Sequence, residues 1–165
     1  MSVKRMMILV VLVCSAMVAL PLLAEVTVQL TAYKVVKNAG KETLSAADKM
    51  MPGETVEYKA VYKNTNKSAV HDVKASLPIP QGMQFVPNTA VPAAPMASTD
   101  GVKFSKLPLM KQVKGADGKM HEEPVPYSEY RSLRWDLGEI PAGGSKTVSA
   151  RMLLTSAQDV NTQKP

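Results

Sequence analysis

The clearest signal along the chain is an alternation of apolar and polar positions with a period of two. In Thr55–Lys63, "TVEYKAVYK", Val56, Tyr58, Ala60 and Tyr62 share one face, while Thr55, Glu57, Lys59 and Lys63 share the other. A half-buried strand has this pattern because successive side chains point to opposite sides of a sheet. Pro52-Gly53 predicts a turn before it, with proline presetting φ and glycine accepting a positive φ. Asn64–Ser68, "NTNKS", predicts a turn after it, since short polar side chains satisfy turn backbone groups. The next run places Val73, Ala75 and Leu77 inward and Lys74 and Ser76 outward. Pro78 and Pro80 stop it, because neither can donate to a ladder.

The same period recurs elsewhere. Met83 and Phe85 begin a short strand, and Leu133, Trp135 and Leu137 alternate with Arg134 and Asp136. After the turn "GEIPAGGS", Val148, Ala150, Met152 and Leu154 alternate with Thr147, Ser149 and Arg151. In Glu25–Val36, Val26, Val28, Leu30 and Ala32 alternate with Thr27, Gln29 and Thr31, which makes it either the first strand of its own sheet or a donor to a neighbour. The middle is less regular. Val86–Ser98 is rich in Pro, Ala, Ser and Thr, so no continuous ladder is expected there; Val102–Leu109 is read as one strand. Lys111–Tyr127 is read as a long hairpin or loop with Gly115 and Gly118 at its tip, and Thr155–Pro165 as a polar, unpacked tail. Short strands, Gly/Pro turns and the lack of a long helical period predict an all-β antiparallel sandwich of about seven strands. It would span residues 25–154, with a long insertion at about 86–131, and no internal repeat is found.

The N-terminus has a different pattern. Lys4 and Arg5 precede the apolar run Met6–Leu20; Pro21 breaks it, and Leu22-Leu23-Ala24 leads to Glu25. This is the layout of a secretory signal peptide, with cleavage expected after Ala24. The alternative is an uncleaved anchor, since Met6–Ala24 approaches the ~20 apolar residues of a membrane span. Either way the rest of the chain is expected to be exported to the periplasm or the cell exterior, with no membrane insertion after cleavage. Cys14, the one cysteine, comes after Val13 rather than the Gly or Ala expected before a lipid-attachment cysteine, so a lipoprotein is not expected. Beyond Ala24 there is neither disulfide nor thiol, and the domain must stand on its apolar core; about 141 residues suffice, burying roughly two-thirds of their unfolded surface.

Charge adds little. The formal net charge is +6; without Lys4 and Arg5, 18 basic residues remain against 14 acids, giving +4. The looser group Lys103, Lys106, Lys111, Lys114 and Lys119 lacks interleaved aromatics and leads into Glu122, Glu123 and Glu129. It reads as a solvated face, and no nucleic-acid partner is expected.

Two stretches carry a resemblance. "MPGETVEYKAVYKNTNKSAVHDVKASLPIPQGMQFV" and "WDLGEIPAGGSKTVSARMLL" resemble the conserved repeat domain of unknown function found in bacterial and archaeal surface and secreted proteins. The likeness runs through Pro52, Gly53, Glu54, Val56 and Tyr58, then Asn64, Asn66, Val73, Leu77, Pro78, Gly82, Met83 and Phe85. It closes on Trp135, Leu137, Gly138, Ile140, Gly143 or Gly144, and Ser145. The resemblance covers about half of the chain beyond Ala24 and implies an immunoglobulin-like β-sandwich, present once. Its matched residues are turns and core positions, so it implies a scaffold and no chemistry.

The candidates for chemistry are few. His71 and His121 are the only histidines, and no serine sits in a nucleophile-elbow glycine pattern. No enzyme activity and no cofactor are expected. Met120 and His121, with Met110 and Met96 elsewhere in the insertion, are the soft-ligand set that a periplasmic copper-binding protein would use, but a spaced His partner is lacking and an exposed loop is the plainer reading. Glu122-Glu123 lacks the spaced oxygens of a calcium site. "NKS" at Asn66–Ser68 is formally a glycosylation acceptor in a stretch that already prefers those residues as a turn. Tyr58, Tyr62 and Trp135 are expected in the core. Tyr127 and Tyr130, beside Arg131, are expected to be exposed and to mark a binding surface for a protein or an envelope glycan. The expected role is therefore a non-catalytic, structural or protein-binding module of the cell envelope. Its contacts would come from a sheet edge or the Val86–Arg131 loops.

Overall fold

The structure, a computed structural model, describes residues 26–155; the leader assigned to residues 1–24 and the tail residues 156–165 lie outside that range. Eleven strands run in chain order: β1 Val26–Asn38, β2 Lys41–Ala46, β3 Thr55–Asn64, β4 Val70–Pro78, β5 Met83–Phe85 and β6 Met96–Ser98. They continue as β7 Ser105–Lys106, β8 Met110–Lys114, β9 Met120–Pro124, β10 Ser132–Ile140 and β11 Ser145–Leu154. A 3-10 turn, Tyr127–Glu129, precedes β10. One antiparallel sheet has the order β2-β1-β3-β11-β5 and a second the order β4-β10-β6-β7; β8 and β9 form a separate hairpin.

The two larger sheets share one apolar core, as in a sandwich. The first contributes Ala60, Tyr62, Phe85, Val148, Ala150 and Met152, and the second Ala75, Leu77, Ala97, Leu133, Trp135, Leu137 and Ile140. All of these but Ala97 and Ile140 are inward positions of the period-two pattern, and the register agrees. Ala60 lies opposite Val148 and Val56 opposite Met152 across β3 and β11, while Ala75 lies opposite Trp135 and Leu77 opposite Leu133 across β4 and β10. Directly opposed residues share a face, so the core is built of cross-strand pairs.

The turns tie the layers together. Gly53 has φ of 88° and its N–H donates to the Leu154 carbonyl, closing the entrance of β3 against the end of β11. Gly138, with φ of 61°, sits where the β4–β10 register shifts, and its N–H is held by the Asp136 carboxylate. Asn64 is fully buried. Its Nδ2 donates to the Ser68, Ile140 and Pro141 carbonyls, and its Oδ1 accepts from the Asn66 N–H, so one side chain joins the β3–β4 loop to the β10–β11 turn.

The insertion differs from its sequence reading. The Pro-rich stretch contains β6 and runs back along the first sheet: Val91 bridges Ser149, and Val86 N–H donates to the Arg151 carbonyl. The core Trp135 holds it there, its Nε1–H donating to the Pro92 carbonyl at 2.7 Å. Val102–Leu109 is mostly loop, with only the two-residue β7. The predicted hairpin is present, with the turn Gly115–Lys119 at its tip. Thr155, expected to begin a loose tail, is tied to the Gly82 carbonyl through both its N–H and its hydroxyl.

Candidate functional site

The aromatic surface expected at Tyr127, Tyr130 and Arg131 is not formed. Tyr130 has no exposed surface, and Tyr127 is half-buried against the core. The 3-10 turn places the two tyrosines three residues apart on one side, and both turn inward. Their rings meet edge-on at 5.2 Å, and Tyr127 meets Phe85 edge-on at 5.9 Å. The Tyr130 hydroxyl accepts the Leu109 N–H at 2.8 Å, and burial raises its pKa. Arg131 is exposed, but its guanidinium is folded back onto the Ser128 and Tyr130 carbonyls. The pair plugs the end of the sandwich beneath the insertion and offers no stacking platform.

Met120 and His121 are not brought together either. They are consecutive residues of β9, opposite Lys114 and Val113 of β8, so they point to opposite faces of the hairpin. The His121 ring engages Asp117 at 3.0 Å. Met96 lies in β6 of the second sheet. Among the described residues no cluster of three His, Cys, Asp or Glu side chains is arranged to hold a metal.

A cleft of about 600 Å³ opens beside the β1–β2 hairpin, lined by Lys34, Lys37, Glu54, Thr89 and Arg151 among others. Its charges are already matched. Lys34 pairs with Glu54, Lys37 with Glu42, and Arg151 with both Glu42 and Glu57. Hydrogen bonds from Arg151 and Lys37 hold the Glu42 carboxyl below its usual pKa. The network fastens the hairpin to β11 and β3. Each of the three cations lining the cleft is thereby engaged, so none of them is left over for an anionic ligand.

One feature with unmet physical demands is an edge. Only Tyr33–Asn38 of β1 pair with β2, so Val26–Ala32 pair with β3 on one side and with nothing among the described residues on the other. Alternate residues of this stretch direct their N–H and C=O groups outward, away from β3. The inner face is open as well. In the row Val148–Ala60–Leu30, exposure goes from 0% to 2% to 51% as it steps from β11 through β3 to β1. Val28, opposite the core residue Tyr62, is 53% exposed. The cause is an offset between layers: β4 is the margin of the second sheet and faces β3, so β1 overhangs it.

The other edges carry the devices that natural sheets use against pairing. β5 and β7 have three and two residues. β2 carries Lys41 and Glu42, and the β8–β9 hairpin carries Lys111, Lys114, Glu122 and Glu123. β4 is irregular at Asp72, whose φ is 55°. It is also capped. The Tyr62 hydroxyl accepts the Ser76 N–H and donates to the Ser76 carbonyl, both at 3.1 Å, standing in for a neighbouring strand. "VTVQLTA", Val26–Ala32, has no charge, proline, glycine or bulge. Among the described residues it alone is a bare edge longer than three residues. Of the two roles open to Glu25–Val36 in the sequence, the structure makes β1 the first strand of its own sheet, with one side left over.

Comparison with protein-family models, with curated protein sequences and with solved structures finds no match to the chain. The structure defines an all-β protein of antiparallel sheets sharing a sandwich-like core.

Proposed function

We propose that the protein is a non-catalytic, exported module of the cell envelope that binds a polypeptide by strand pairing along the free edge of β1. The observation that carries this reading is the bare, neutral edge Val26–Ala32 with Val28 and Leu30 half exposed on its inner face. An added strand would satisfy the outward N–H and C=O groups and cover the two apolar side chains at once. Export is supported by the leader pattern of residues 1–24.

The finer fold reading, an immunoglobulin-like domain similar to the conserved repeat domain, is supported by the Pro52–Phe85 and Trp135–Ser145 motifs. Their residues occupy the turns and core positions that the resemblance implies. The strand order departs from that pattern in one respect. The last two strands of an immunoglobulin domain lie side by side in one sheet, whereas β10 and β11 lie in different sheets.

A photo-crosslinking residue placed at Gln29 in the native cell tests the proposal, with one at Lys59, exposed on the adjacent β3, as control. The expected result is an adduct from position 29 in the exported fraction, lost in Leu30→Lys and absent from position 59. No adduct at position 29, or retention of the protein in the cytoplasm, overturns it.

A further inference from the structure

Building on strand pairing at the edge of β1, and resting on that reading, we infer a specific occupant. The polypeptide paired with β1 is β1 of a second copy of this chain, in an antiparallel two-fold arrangement centred on Gln29.

The limits of the edge set the register. The pairing of β2 begins at Tyr33, and β3 ends at Asn64, opposite Val26, so the free edge is Val26–Ala32, seven residues with Gln29 at their midpoint. An antiparallel partner that uses all seven must pair residues whose numbers sum to the same value. Val26 then meets Ala32, Thr27 meets Thr31, Val28 meets Leu30, and Gln29 meets its own copy. Every apolar residue faces an apolar one and every polar residue a polar one. A slip of one residue would set Val28 and Leu30 against Thr and Gln and turn one strand's apolar face outward. A slip of two keeps the pattern but pairs only five residues of the described edge.

Charge is consistent with this occupant. A two-fold interface sets each patch against itself, so any net charge on the patch repels its own image. The chain as a whole is basic, yet these seven residues carry no charge. The only group on the axis is Gln29, exposed on the outer, polar face, and its amide can both donate to and accept from its twin.

Geometry also agrees. A two-fold axis perpendicular to the sheet keeps the inner faces of both copies on the same side. Val28 and Leu30 of each copy then form one apolar strip joining the two overhangs, with Tyr62 at either end beside Val28. The two five-stranded sheets would become one continuous sheet of ten. A seven-residue edge is a small interface, and small interfaces belong to reversible complexes, so self-association is expected in the micromolar range.

The test uses the exported form, the chain without its leader, in sedimentation velocity, with thermal unfolding of each variant as a folding control. The wild type is expected to dimerise. Gln29→Lys and Gln29→Glu each place like charges opposite one another and should weaken the dimer roughly fivefold or more. Mixing the two should restore it as a heterodimer, a rescue that a general surface effect would not give. Both substitutions lie at an exposed outer position, so the fold should be unaffected. The position-29 photo-adduct is expected at twice the chain mass. A wild type that stays monomeric at several hundred micromolar, or a dimer indifferent to both substitutions, overturns self-pairing. A position-29 adduct with a different polypeptide also overturns self-pairing, while leaving the strand-pairing function standing. No adduct at all removes both.

Discussion

The side chain of Asn64 offers the sharpest test of how this fold is held. It has no exposed surface, and its Nδ2 reaches the Ser68, Ile140 and Pro141 carbonyls at 2.8, 3.0 and 3.1 Å. Replacement by alanine removes the donor and leaves a small void. The Ser68 and Pro141 carbonyls border solvent and can rehydrate, so each loss amounts to about 1 kcal/mol. The Ile140 contact is buried, and its carbonyl, stripped of a partner, adds about 1–3 kcal/mol. The expected loss for Asn64→Ala is therefore about 3–5 kcal/mol. For a domain of this size that is a fall in Tm of roughly 10–20 °C. Thermal melts monitored by circular dichroism and urea titrations, with an unchanged m value, would measure it. Asn64→Asp isolates the donor, because it keeps the shape and the Oδ1 acceptor but sets a second oxygen against three carbonyls. In the folded state the buried carboxyl should be harder to ionise, raising its pKa above the unfolded ~3.9. Stability of this variant is then greatest below that value and declines as pH rises through the folded pKa, so its deficit against wild type should widen from pH 4 to pH 7. An alanine variant within 1 kcal/mol of wild type, or an aspartate variant equal to wild type at pH 7, would refute the reasoning.

Two further outcomes concern the insertion. Tyr130→Phe keeps the ring packing but removes the acceptor of the Leu109 N–H, and should lower stability by about 1–3 kcal/mol in the same melts; no change would mean that water replaces the hydroxyl. Asp100 accepts the Val102 and Lys103 N–H groups and the Ser98 hydroxyl, which hold its pKa at about 2 against 3.8. A depressed carboxylate pKa contributes stability present above pH 3.8 and lost as pH falls through about 2. An NMR titration of the Asp100 carboxyl carbon should show its midpoint there, and a midpoint near 3.8 would show that the loop does not hold it.

The strands legible in the sequence are those with one face in the core. β3, β4, β10 and β11 alternate because the second layer covers their inner faces, and every predicted plug from Val56 to Leu154 is buried or partly buried. β2, "KETLSA", gives no signal because both of its faces meet solvent, so no alternation is imposed on it. β6 is hidden by the prolines around it, which border the strand without interrupting its three residues. Tyr130 looks like a surface residue because its neighbourhood, "YSEYR", is polar, while the spacing of three on a 3-10 turn decides its burial. Asn64 looks like an exposed turn residue, since nothing in "NTNKS" shows that carbonyls 76 and 77 positions away converge on it. The open edge is half legible: the neutral alternation of Val26–Ala32 is in the sequence, but the offset of the two layers that exposes it is a tertiary fact.

The Tyr62 hydroxyl on Ser76 has a consequence for growth. A sheet protein with two adhesive margins propagates without end, each added subunit offering a fresh site to the next. Here the far margin of the β1 sheet is the three-residue β5, and the β4 margin of the other sheet is capped at Ser76 from within by a phenol that belongs to the hydrophobic interior. On the pairing inferred above, association through β1 would exhaust itself after one step, which is how a module built of extended backbone could be sticky and still not become a fibre.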